Sequence, residues 1–226
     1  MNGFKKQNDM SILPLAILGS GGFAREVATI IHAINAKNPT YDLMGYIDNH
    51  LPKGSLINGL PVIGSDDEIN NTTTPLCIVT AFGEPALKEK VYKKYTNPLI
   101  SFPTIIHPSV IIGDAPSIKF GKGCIICAGC ILTTNIEIKD FVTLNLSCTV
   151  GHDVTIGNYS SFMPSCNISG EVNIDTKVYC GTGVKIINQI NIGNNTIIGA
   201  GAVITRNIPA ECTAVGVPAK PIKYNK

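Results

Sequence analysis

The dipeptide His152-Asp153 holds the residue types in this chain best suited to moving a proton. An imidazole that titrates near neutrality can take the proton from a sugar amine or hydroxyl while that group attacks a carbonyl. The pair lies in Val150-Gly151-His152-Asp153-Val154. A lone histidine beside a bend is equally compatible with a satisfied structural side chain. A second chemistry is suggested by Gly19-x-Gly21-x-x-Ala24, a glycine loop that lets phosphates approach the N-terminus of a helix. Asp48 closes the next apolar run, where a ribose hydroxyl is often read, and Asn49 follows it. The loop residues Ser20, Gly21 and Gly22 with Asp48 and Asn49 thus form a candidate nucleotide site. The same loop could also be a turn that holds nothing. Cys124, Cys127 and Cys130 have zinc-type spacing and make a third candidate.

The elements that position these residues have two textures. From Phe120 to Ile204, every sixth residue is apolar, fifteen in succession: Phe120, Ile126, Leu132 and so on. At 44% apolar residues, chance gives such a run roughly once in two hundred thousand trials. A companion series two positions earlier, from Ile118 and Cys124 to Ala202, is small or β-branched throughout. Two inward positions flanking an outward one are the signature of a short strand. The spacing predicts a three-sided solenoid of about five coils, with an eighteen-residue coil repeat. The same rhythm turns Cys124 and Cys130 inward on successive sides and Cys127 elsewhere, so buried thiols explain them without a metal. Alternation also points His152 inward with Val150 and Val154.

Residues 13 to 105 read differently. A buried strand at Leu13–Leu18 and further strands at Tyr41–Ile47 and Leu76–Ala81 alternate with helices from about Ala24 to Ala36 and Glu84 to Tyr95. That order predicts a parallel sheet in a Rossmann-like half-domain. A full dinucleotide domain needs about twice as many strands. NAD is therefore not expected, and a mononucleotide diphosphate is.

Composition narrows the function. Charged residues are only 15%, which implies surface covered by other subunits, and a net charge of +2 without basic runs gives no case for nucleic acid. No apolar run approaches the ~18 residues of a membrane span. The segment Met1–Met10 is polar and does not read as a signal peptide. A cytoplasmic location, with the eight cysteines reduced, is the expectation.

From the glycine loop through the six-residue rhythm and His152-Asp153 to Gly216-Val217-Pro218-Ala219-Lys220, the chain resembles the hexapeptide-repeat sugar acetyltransferases. That group includes sialic acid O-acetyltransferases and the UDP-4-amino-sugar N-acetyltransferases of bacillosamine synthesis. The resemblance implies an α/β Rossmann-like nucleotide-sugar domain (1–105) followed by a left-handed parallel β-helix with a C-terminal cap (106–226). It implies His152 as general base with Asp153 orienting its ring, although an aspartate is one methylene shorter than the family's alternative glutamate. It implies acetyl-CoA as donor, held at Gly170, Thr182 and Gly201, with the Gly170 N–H facing the developing oxyanion. Asn145 matches a family position lining the substrate pocket. A homotrimer with sites between subunits is implied as well. The expected reaction is acetylation of the 4-amino group of a UDP-linked sugar. O-acetylation of sialic acid or another sugar hydroxyl, and a non-catalytic β-helix scaffold, are the alternatives. A metal enzyme on the same coil would need three convergent histidines, and only His107 and His152 lie near it.

Overall fold

The computed structural model describes residues 12–224. The polar segment Met1–Met10 lies outside the described residues. The N-terminal part is a parallel sheet built from β1 (Leu13–Leu18), β2 (Tyr41–Ile47), β4 (Leu60–Gly64), β5 (Leu76–Thr80) and β6 (Ile100–Ser101), in the order β4-β2-β1-β5-β6. A two-residue strand, β3 (Leu56–Ile57), pairs antiparallel with the outer edge of β4. The helices are α1 (Gly22–Lys37), α2 (Asp66–Asn70) and α3 (Pro85–Tyr92). The central strands β1 and β5 are apolar on both faces because one face of the sheet meets α1 and the other meets α3. The sequence did not reveal the β3–β4 ribbon or α2. These elements are short, and α2 exists through a capping box between Ser65 and Glu68.

The coil begins at Ile105. Its first face stacks Ile105–Ile106, Ile125–Ile126, Thr143–Leu144, Ser161–Phe162, Tyr179–Cys180, Ile197–Ile198 and Cys212–Gly216 in parallel. The second face runs from Ile111–Ile112 to Val203–Ile204, and the third from Ile118–Phe120 to Asn191–Ile192. Partners are eighteen residues apart, as Ile125 with Thr143 and Ile131 with Thr149. The inward series forms one continuous core in which Ile126, Leu132, Leu144, Ile156, Phe162 and Ile198 have no exposed surface. Each such aliphatic side chain contributes about 1.5–3 kcal/mol by leaving water.

The coil is longer than the five turns expected, with seven parallel rungs on the first face and six on the second. The six-residue step fails at both ends, which hid the outer turns. A one-turn helix at Ala115–Ser117 lengthens the first coil, and the step from Ile204 to the Ile192–Ile208 bridge is short. The antiparallel return strand Ala219–Tyr224 then covers the edge of Cys212–Gly216.

Corners follow a rule of their own. Residues 123, 129, 135 and every sixth position to 201 have positive φ, whether glycine, asparagine, serine or a bulky Phe141 or Tyr159. At these corners the N–H of this residue donates to the preceding coil: to a serine hydroxyl at Gly129 (Ser109, 3.1 Å) and Asn135 (Ser117, 2.9 Å), and elsewhere to a carbonyl, as Asp153 to Thr134 (3.2 Å) and Glu171 to His152 (2.8 Å). The stacked coils therefore fix the left-handed conformation at these positions, which an isolated non-glycine residue adopts only at a cost.

The N-terminal part sits on the first face. Ile105, Ile125 and Cys127 turn outward from the coil into the same core as Leu15, Ile17, Val27 and Ile31. Cys124 and Cys130 instead point into the coil, where their thiols donate to the Lys139 (3.0 Å) and Asn145 (3.1 Å) carbonyls. All eight cysteines are buried free thiols.

Candidate active site

His152 does not follow the inward alternation. It occupies the corner between the second and third faces, and its side chain is 55% exposed, with Asp153 at 51%. The strand ends at Val150, so alternation stops there and the corner sends the ring outward. Asp153 takes the positive-φ position of this corner (φ 58°), a conformation that aspartate tolerates better than most residues.

The ring is held from two sides. Nδ1 lies 2.8 Å from Asp153 Oδ2, and because a carboxylate can only accept, Nδ1 is the donor; in the neutral tautomer this bond selects, the lone pair is on Nε2. Asn135 Nδ2 donates to the other Asp153 oxygen at 3.1 Å. These bonds, from His152 first and Asn135 second, lower the Asp153 carboxyl below its usual range. On the other side is Gly170, one coil further. A Cβ there would fall 2.4 Å from both Cε1 and Nε2 of His152, so the position of the ring requires glycine. Among the described residues, no acceptor takes the Gly170 N–H. His152, Asp153 and Gly170 are thus brought together. Asn135 was missed in the sequence because only the eighteen-residue stacking places it against Asp153.

Asn145, Thr182 and Gly201 lie elsewhere, at the corner between the first and second faces. Thr182 accepts from the Gly201 N–H (2.8 Å) and is exposed, while Gly201 (φ 69°) has open space around it. Asn145 is buried, and its carboxamide oxygen accepts from the Leu146 N–H at 2.7 Å. One chain does not join these residues to His152.

The glycine loop lies in the N-terminal part, at the carboxyl ends of the strands. Gly19 (φ 95°) makes the turn against the Phe82 ring, and α1 starts at Gly22 with no side-chain cap and no acidic residue in its first turn. Such a helix start presents unpaired N–H groups and a positive dipole end. Beside it is a cavity of about 260 Å³ lined by Gly19, Asp48, His50, Asp66, Phe82 and Lys94, among others. Ser20 Oγ donates to Asp48 Oδ2, while Asp48 Oδ1 accepts from the N–H groups of His50 (2.8 Å) and Leu51 (3.2 Å). Burial raises the Asp48 carboxyl, but these hydrogen bonds outweigh it and the net shift is downward. Both ends of the Asn49 carboxamide bond Asp66, at 2.8 and 2.9 Å, so Asn49 acts through Asp66. Asp66 also accepts from Lys94 and Tyr95, each at 2.9 Å. Asp66 and Lys94 carry no signal of their own in the sequence, and they come together only when α2 packs beside the end of α3.

The coil stands between the two centres. The N-terminal part covers the first face of the coil, and His152 stands at the corner opposite that face.

Comparison with known proteins identifies the architecture. The PglD N-terminal domain matches residues 14–95. A GDP-perosamine N-acetyltransferase of Escherichia coli O157:H7 is 29% identical over 147 residues, and the match spans 65% of this chain and 65% of that enzyme. This chain therefore matches just under two thirds of the length of that curated relative. The acetyltransferase domain of PglB from Neisseria gonorrhoeae, solved in complex with acetyl coenzyme A, is 30% identical with a TM-score of 0.84, covering 94% of this chain and 100% of that one. PerB of Caulobacter crescentus, solved with CoA and GDP-perosamine, is 28% identical with a TM-score of 0.84, covering 94% and 99%. No helix among the described residues is long and apolar enough to cross a membrane. With the Rossmann-like sheet, the left-handed β-helix and these relatives together, the chain belongs to the hexapeptide-repeat sugar acetyltransferases.

Proposed function

We propose that the protein transfers the acetyl group of acetyl-CoA to the 4-amino group of a nucleoside-diphosphate sugar. UDP is the nucleotide that the family resemblance implies, and GDP is the one named for two relatives. Acetyl-CoA supplies a thioester carbonyl. The exposed corner edge at Thr182 and Gly201 offers open backbone for its pantetheine arm.

In this reading, the α1 N-terminus and the cavity at Asp48 hold the nucleotide diphosphate, with Ser20, Gly21 and Gly22 against the phosphates. Asn49 holds Asp66 in place, and Asn145 borders the acceptor sugar. His152 Nε2 removes the proton from the amine as it attacks, while Asp153 keeps the other ring nitrogen protonated and stabilises the imidazolium that forms. The free Gly170 N–H is aimed at the developing oxyanion; as that oxyanion collapses, the C–S bond breaks and CoA leaves as the thiol, taking the proton held by the His152 imidazolium. The buried cysteines take no part, because direct transfer needs no acyl-enzyme. Solved forms of the Caulobacter enzyme with one histidine replaced by asparagine or alanine fit a central role for such a residue.

One observation carries the arrangement: the nucleotide cavity and His152 lie on opposite sides of the coil. A neighbouring copy must therefore bring its His152 corner to the sugar held by this chain, and a homotrimer with three such junctions closes the assembly. The outward Ile111 and Ile131 of the second face are exposed in the single chain, as such a contact would require. The cytoplasm, where acetyl-CoA and nucleotide sugars meet, is the proposed location.

The test is free-thiol release from acetyl-CoA with UDP- and GDP-linked 4-amino sugars and with sialic acid. Amino sugars should be acetylated, and His152→Ala should turn over about 10²–10⁴-fold more slowly. Turnover of sialic acid alone would shift the assignment to O-acetylation. Release with none of them would favour a scaffold.

A further inference from the structure

Helix α3 has two working faces. Leu87, Lys90, Val91 and, just beyond its end, Lys94 line the nucleotide cavity. Lys88, Glu89 and Tyr92 instead reach the coil. Lys88 is the unusual member, a lysine with 1% of its surface exposed. Its Nζ donates to the Phe141 carbonyl (2.7 Å), the Ser160 carbonyl (3.2 Å) and Thr143 Oγ1 (3.3 Å). Three ammonium protons thus meet three oxygens, drawn from two successive coils, and none of these is a carboxylate. Burial pushes this ammonium down to about 7.

A buried amine without a carboxylate partner destabilises a fold, and a methionine of similar length would fill the same space. What the lysine adds is direction. Its three bonds fix the position of α3 along the coil axis and around it, which greasy contact alone does not do. The neighbouring contacts agree on the same corner. Glu89 pairs with Lys177 at 3.1 Å, and Tyr92 packs on Phe141 with ring centroids 4.5 Å apart. Lys122 Nζ donates to Tyr92 Oη at 2.7 Å.

We propose that Lys88 is a positioning residue for acetyl transfer: it pins the cavity-lining helix to the coil and so sets where a nucleotide-held amine meets the neighbouring His152. This rests on the function proposed above. Lys88 touches neither substrate, so its loss should leave binding of a bare nucleotide intact while misaligning the amine. Misplacement by about 1 Å is enough to cost roughly 10²-fold in rate.

The experiment uses the full chain carrying Lys88→Met, with Thr143→Val as a milder variant that deletes a single acceptor. Calorimetry measures UDP and GDP binding, and steady-state kinetics are run well below the melting temperature. Expected for Lys88→Met are nucleoside diphosphate affinity and acetyl-CoA KM within about twofold of wild type, and a kcat at least tenfold lower. Thr143→Val should shift kcat in the same direction by less, and it carries the test alone if Lys88→Met does not fold. Wild-type kcat in a folded Lys88→Met, or in Thr143→Val when only that variant folds, overturns the proposal. So does loss of nucleoside diphosphate binding in either, which would make Lys88 part of the cavity instead. A wild-type protein that binds no nucleotide and turns over no sugar would overturn the functional reading and this inference with it, a result distinct from either of these.

Discussion

Replacing Gly170 by alanine probes the His152 site without replacing either ionisable group. The added Cβ would lie 2.4 Å from Cε1 and Nε2 of His152, where an ordinary contact needs 3.4 Å or more. One of the two must move by roughly 1 Å, and Gly170 is held by its carbonyl accepting from Gln189 N–H (3.1 Å) in the next coil. The ring is the freer partner, because more than half of its side chain is exposed. Displacing it costs the fold little, about the 1 kcal/mol of one hydrogen bond. It does carry Nδ1 away from Asp153 and Nε2 away from its place, and about 1 Å of misplacement costs roughly 10²-fold, or about 2.7 kcal/mol in the barrier. Gly170 has no positive φ, so alanine brings no backbone strain. The assay is acetyl transfer under saturating substrates beside a thermal melt. A drop of about 10² in kcat with a nearly unchanged melting temperature is expected. A folded Gly170→Ala protein with wild-type kcat would show that the ring's place against Gly170 has no part in the reaction.

Two further outcomes follow from the N-terminal part. Asp48→Ala removes the acceptor of Ser20 and of the His50 and Leu51 N–H groups, and should raise KM for the nucleotide sugar about tenfold with kcat little changed; an unchanged KM would mean that the loop holds no nucleotide. Lys88 is depressed to about 7 in the fold and returns to the ordinary lysine value on unfolding, so between these the unfolded chain binds the extra proton. Unfolding free energy should therefore rise with pH above about 7, by up to about 1.4 kcal/mol per unit. The same rise in Lys88→Met would assign the slope to other groups.

What the sequence disclosed follows from how repetitive each part is. The coil was legible because one rule repeats every six residues, and Ile126 or Ile156 can fill only one role in it. The rule broke at Ala115–Ser117 and again after Ile204, and the outer coils were lost with it. His152 was misdirected because alternation holds along a strand and ends at Val150, one residue before the corner. A corner signal was nevertheless present. Gly, Asn, Ser and Asp recur at the sixth positions that need positive φ, and Asp153 is one of them. The glycine loop and Asp48 were readable because strand, loop and helix adjoin in sequence. Asp66, Lys94, Asn135 and Lys88 were not, since each acquires its meaning from a partner on another element.

A mixed assembly tests the division of the site between chains most directly. Gly21→Glu places a carboxylate at the α1 N-terminus, where its Cβ meets nothing within 4 Å, so the chain should fold but repel a diphosphate. His152→Ala leaves that end intact and removes the base. Each variant alone should be inactive. Unfolded and reassembled together in equal amounts, they should regain about a quarter of wild-type activity, because one junction in four pairs an intact nucleotide end with an intact histidine corner. No recovery from oligomers shown to contain both chains would contradict a site shared between copies.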